Sequence, residues 1–240
     1  MLTKTQRDQI IALVKKEVVP AIGCTEPMAV ALCVAKAAEV LGCKPEKITA
    51  RLSANILKNA MGVGIPGTGM IGLPIAIALG ALIGKSEYQL EVIKDTTPEA
   101  VKAGKAYIDE KRICIALKEN ITEKLYIEII CEAVGKTSAA IIAGGHTNFV
   151  YVADGDKVLL DNRKPAGAEA DSNDIKLNMR TVYEFATESP VDEISFILET
   201  KKYNEHAAKE ALKGNYGHDL GKTLERPLSK GIMGESIFSH

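Results

Sequence analysis

Gly23-Cys24-Thr25-Glu26-Pro27 sets a thiol, a hydroxyl and a carboxylate side by side, just ahead of an apolar, helix-forming run. A cysteine at the start of a helix meets unpaired backbone amides and the positive end of the helix dipole, and both favour the thiolate. Thiolate is the form that ligates a metal or attacks carbon. On this reading Cys24 is the thiol most readily alkylated near neutral pH; the competing reading is a cysteine merely buried at a turn. The other four thiols, Cys33, Cys43, Cys114 and Cys131, are expected in hydrophobic interiors, where cysteine behaves as a small hydrophobe.

A second group follows 30 residues later. Ser53 and Asn55 share the polar side of an alternating stretch, and Lys58 and Asn59 stand where that stretch ends, before the glycine-rich run from Gly62 to Gly69. Glycine-rich backbone opening a helix suits a carboxylate or phosphate, whereas a solvated strand face with a tight connection needs the same residues for no chemistry. The run also spells G-x-G-x-x-G from Gly62 to Gly67. A dinucleotide fold requires the strand to end at that motif and the helix to open within it, and here Pro66 and Gly69 delay the helix. His146-Thr147-Asn148, after Gly144-Gly145, offers an imidazole, a hydroxyl and an amide to bind or shuttle a proton, or simply forms a polar turn.

The elements that must position these groups are legible in the apolar spacing. Helices are expected over 4–18, with Thr3 or Thr5 as cap and Pro20 as stop, and from Glu26 to about Leu41 with Thr25 as N-cap. Residues 48–56 alternate as a strand, 70–84 form a buried helix, and 98–111 form a helix capped by Thr97. Strands at 113–117, 125–133, 137–143, 148–153 and 157–160 are joined by short turn signals, which favours an antiparallel meander. From 173 onward the sequence is helical again, with a possible internal boundary in the polar stretch 163–174. The expectation is therefore an α+β architecture: N-terminal helices and a glycine loop, a central, mainly antiparallel sheet at about 113–161, and a helical C-terminal segment. Because the helices at 26–41 and 70–84 are so apolar, a second subunit, in a homodimer, or further chain is expected to cover part of them.

Composition narrows the partners. With 240 residues, 46% hydrophobic and 25% charged, the chain has ordinary globular values, and 30 Lys plus Arg against 31 Asp plus Glu leave a formal charge of −1. No basic field suggests nucleic acid or an anionic membrane, and 5% aromatics without tryptophan make no stacking platform. The uncharged stretch 59–84 has a continuous apolar part of only fifteen residues, Met70 to Gly84, short of the ~20 that span a bilayer. Five cysteines with neither a CxxC pair nor an export signal point to the cytoplasm. A near-neutral, soluble protein acting on something small is expected.

GCTEP at 23–27, SANILKNAMGVGIPGTG at 53–69, AGGHTNFVYV at 143–152 and YNEHAAKEALKGNYGHDLG at 203–221 together resemble the L-cysteine desulfidase family, also called serine dehydratase-like, alpha type. The resemblance implies an iron–sulfur lyase in which a [4Fe–4S] cluster on three cysteines leaves one iron open to substrate. L-cysteine would give pyruvate, ammonia and sulfide, or L-serine would be deaminated analogously. Carried over by motif, Cys24 is a cluster ligand, and Glu26 or Lys58 removes the Cα proton. Thr25, Ser53, Asn55, Asn59, Gly67, Thr68, His146, Thr147 and Asn148 line the substrate. Members of that family are nearly twice as long and carry the other two cluster cysteines in their second half. The resemblance therefore implies an N-terminal portion, a natural short form or one piece of a split enzyme, with no cluster bound by this chain alone. A small amino acid and a missing C-terminal half or second subunit are the implied partners. The alternatives are a non-catalytic docking or regulatory module of that family and a nucleotide-binding protein.

Overall fold

The computed structural model describes residues 2–163, 175, 177–214 and 222–223. They fall into two compact units, one within 18–170 and one combining 1–17 with 171–240. The expected boundary at 163–174 and the end of the fourth motif, 215–221, lie outside the described residues apart from Arg163.

The chain begins with α1 (Lys4–Glu17) and then enters the larger unit at α2 (Thr25–Leu41). There follow β1 (Lys47–Leu52), α3 (Ala54–Ala60), a hairpin of β2 (Gly64–Ile65) and β3 (Met70–Ile71), α4 (Leu73–Ile83), a 3-10 turn at Ser86–Glu91 and α5 (Pro98–Asp109). The strands β4 (Ile113–Leu117), β5 (Tyr126–Ala133), β6 (Lys136–Ala143), β7 (Phe149–Asp154) and β8 (Lys157–Asp161) complete it. Six strands form one sheet in the order β4-β1-β5-β6-β7-β8. All neighbours are antiparallel except β1 and β4, which run parallel. The expected α+β architecture and the β5–β8 meander are present, and β1 joins them in the sheet's interior.

Alternation explains why the sheet has a wet and a dry face. Ile48, Ala50 and Leu52 of β1, and Ile127, Ile129 and Cys131 of β5, all point inward with no exposure. Helix α2 lies on that dry face and α4 packs along α2. Their approach depends on small residues: a Cβ on Gly80 would sit 2.6 Å from the carbonyl oxygen of Ala31. Met28 to Ala35 on α2, and Ile75 to Leu79 on α4, are consequently shielded completely. The sheet and the neighbouring helices of this unit already shield these residues.

Three boundaries differ from expectation, each for a local reason. The strand at 48–56 stops at Leu52. Ser53 becomes the N-cap of α3, because Ile56 and Ala60 sit one helical turn apart and both are buried. Cys24, not Thr25, is the N-cap of α2. Helix α4 starts at Leu73 because Gly72 holds φ +85, a conformation closed to the helix.

In the smaller unit α1 is joined by α6 (Met179–Glu188), α7 (Val191–Ile194), a 3-10 turn at Ser195–Leu198 and α8 (Glu199–Lys213). Arg7 donates to both carboxylate oxygens of Glu193 at 2.7 and 3.1 Å. The side chain of Asn178 caps α6 by accepting from the Thr181 amide. Among the described residues no helix is long and apolar enough to cross a membrane.

Candidate functional site

Glu26, in the first turn of α2, links that turn to α3. Its Oε2 accepts from the Cys24 thiol at 3.1 Å and from the Thr25 hydroxyl at 3.2 Å. Its Oε1 accepts from the side-chain amide of Asn59, on α3, at 3.2 Å. The glycine hairpin touches the chain just before Cys24, since Pro66 lies so close to Gly23 that a Cβ there would be 2.8 Å from the proline ring. Cys24, Thr25, Glu26 and Asn59 are all half-buried.

The electrostatics reverse one sequence expectation. The hydrogen bond from Cys24 holds the Glu26 carboxyl below the usual carboxylate range, with Asn59 and Thr25 adding to it. Burial pushes the Cys24 thiol up, and the bond to Glu26 pushes it further. The helix terminus thus does not make Cys24 a thiolate; near neutral pH it is a protonated thiol donating to an ionised carboxylate. The expectation that Cys24 is the most readily alkylated thiol fails on this point, and also because Cys43 and Cys114 are exposed rather than interior. Cys33 and Cys131 are buried as expected, with Cys33 donating to the carbonyl of Ala140.

The other expected site residues divide. Ser53 is buried and turned away: its hydroxyl donates to the Lys124 carbonyl at 2.9 Å and accepts from the Tyr126 amide, tying α3 to β5. Asn55 and Lys58 are exposed on α3, Asn55 one turn before Asn59. Thr68 braces the hairpin internally, donating to the Ile65 carbonyl at 2.7 Å and accepting from the Met70 amide at 3.0 Å. Gly67, at φ +74, faces Thr96. Asn148 closes the β6–β7 turn through the Ala143 carbonyl, and no described bond links His146, Thr147 or Asn148 to Glu26. The G-x-G-x-x-G run is not a phosphate loop: it follows a helix and folds as the β2–β3 hairpin.

For a metal, Cys24 has only Glu26 among these ligand types as a hydrogen-bonded neighbour. The described residues contain no group of three or more His, Cys, Asp or Glu placed to hold an ion. Sequence reasoning missed a separate cluster on the opposite, wetter face of the sheet. There Glu128 accepts from Arg51 at 2.8 Å, from Lys118 at 2.5 Å and from the Tyr126 hydroxyl at 3.1 Å. Burial alone would raise its carboxyl, but Lys118 and Arg51 hold it low. Arg51 was visible on the polar side of its strand; its pairing partner, 77 residues away, was not.

Comparison with known proteins finds relatives along the whole chain. It is 65% identical over 239 residues to a UPF0597 protein of Bacteroides thetaiotaomicron, covering 100% of this chain and 56% of that protein. A UPF0597 protein of Phocaeicola vulgatus is 66% identical over 241 residues, with the same two coverages. One from Oleidesulfovibrio alaskensis is 39% identical over 240 residues, covering 98% of this chain and 55% of the relative. The chain thus spans about half the length of the curated relatives it matches. No family model matches, and no solved structure matches. These relatives correct the assignment to the L-cysteine desulfidase family. Matches along the whole of this chain carry only the name UPF0597 protein, which names no lyase, so the expected desulfidase or dehydratase function falls with the assignment. The docking-module alternative, framed as a derivative of that family, falls with it too.

Proposed function

We propose that the Cys24–Glu26–Asn59 cluster beside the glycine hairpin is a binding site for a small ligand bearing an ammonium group, of the size of an amino acid. The observation that carries this reading is the half-buried carboxylate of Glu26, kept ionised by a thiol, a hydroxyl and an amide from two helices. Each of those donors is neutral, so the carboxylate keeps its full negative charge while its position is fixed. A fixed anion at a partly dry site attracts a cation more strongly than one in open water. Lys58 and Asn55, exposed on α3, supply a cation and an amide for an anionic or polar end of the same ligand.

The cytoplasm is the proposed location, supported by five cysteines that are all free. Calorimetric titration with small amino acids and their N-acetyl derivatives tests the binding reading. Saturable heat from the free amines, none from the acetylated forms and none from Glu26→Gln is expected. Equal heats from amine and acetylated forms overturn it.

A further inference from the structure

We propose that the β2–β3 hairpin is a lid over the Cys24–Glu26–Asn59 site, latched by apolar contact and swung aside when ligand enters or leaves. The proposal deepens the binding reading and rests on it for the ligand, though not for the motion. The hairpin is braced as one rigid piece. Gly72 N–H donates to the Val63 carbonyl at 2.8 Å, Thr68 N–H donates to the Ile65 carbonyl, and the Thr68 hydroxyl bridges Ile65 and Met70. Every one of these bonds closes within residues 63–72.

Its attachment to the rest of the unit is of another kind. Ile65 is buried, Pro66 rests on Gly23, and Gly67 faces the methyl of Thr96. These are side-chain contacts without direction, and contacts of this kind can be broken and remade without leaving a buried polar group unpaired. Both ends of the hairpin are glycines. Gly62 has nothing within 4 Å of the position a Cβ would take. Gly72 sits at φ +85, with the Met61 carbonyl oxygen 2.7 Å from that position, so no other residue fits there without strain. Rigid body, apolar latch and glycine ends are the parts of a hinged loop. The residue under the latch, Gly23, is the immediate neighbour of Cys24, so the accessibility of that thiol reports the lid's position.

The test releases the latch. Pro66→Ala removes most of the ring that rests on Gly23, and modification of Cys24 by a bulky maleimide and by iodoacetamide is followed by peptide mass spectrometry. Bulky labelling faster by about threefold or more, and sped more than iodoacetamide labelling, is expected. Equal speeding of both reagents, or no change with either, overturns the lid. None of these rates needs a ligand. Gating of Cys24 without ligand heats would leave the lid standing and the binding reading fallen, and heats without gating would do the reverse.

Discussion

At Cys24 a general rule and its local exception act on the same atom. The helix terminus lowers a thiol's pKa, yet Glu26, two residues on, lies within hydrogen-bond reach and carries a charge that the thiolate would have to face at 3.1 Å. Both residues were legible as chemistry-bearing in the sequence, but the sign of their interaction was not. That sign depends on which way the first turn of α2 directs the carboxylate. Removing the charge while keeping the shape should let the helix terminus act. Glu26→Gln is predicted to raise the Cys24 alkylation rate at pH 7.5 by about threefold or more, as the thiol pKa falls toward its ordinary value. An unchanged or slower rate would mean that burial, not Glu26, sets the thiol. Ser53 is the opposite case, a polar residue read as facing a ligand whose hydroxyl is fully used in joining α3 to β5.

Among the elements, those with a long and strict period were legible almost to the residue. Helix α5 begins at Pro98 with the Thr97 hydroxyl accepting from Ala100, as its capping pattern requires. The alternation of β1 reads on past Leu52 because Ala54 and Ile56 continue its period of two, whereas the helix that forms there buries Ile56 with Ala60 and leaves Ala54 exposed. The parallel pairing of β1 with β4 left no local mark, since it joins residues about 65 positions apart, such as Ile48 and Ile113. The α2–α4 contact is a property of elements that one atom can spoil. Gly80→Ala would drive a methyl group into the Ala31 backbone, which cannot move without shifting a helix. A loss of about 2 kcal/mol in urea unfolding is expected. A loss below about 0.5 kcal/mol would show that the helices have slack at that crossing.

Across the larger unit as a whole, the buried ionisable groups set a limit on stability at high pH. Burial pushes the Cys131 thiol up to about 12 and the Tyr107 phenol up to about 12, and it holds the Cys33 thiol well above its usual range. A raised pKa means that the folded state favours the protonated form. The stability these groups contribute is therefore complete below about pH 8.5, the ordinary thiol value, and is lost as pH rises toward the folded values. The urea midpoint should be flat from pH 7 to 8.5 and fall steadily toward pH 12, and a midpoint that rises in that window would contradict the burial of these side chains. The smaller helical unit carries none of them. The proposed ligand site is the cluster of α2 and α3 beside the hairpin, and site-resolved NMR tests it most directly. In a titration of 15N-labelled protein with a small amino acid, shifts should concentrate at the amides of Thr25 and Glu26, the side chain of Asn59 and the hairpin glycines, and should vanish in Glu26→Gln. Shifts that survive in Glu26→Gln, or that centre on the Glu128 cluster instead, would contradict the account.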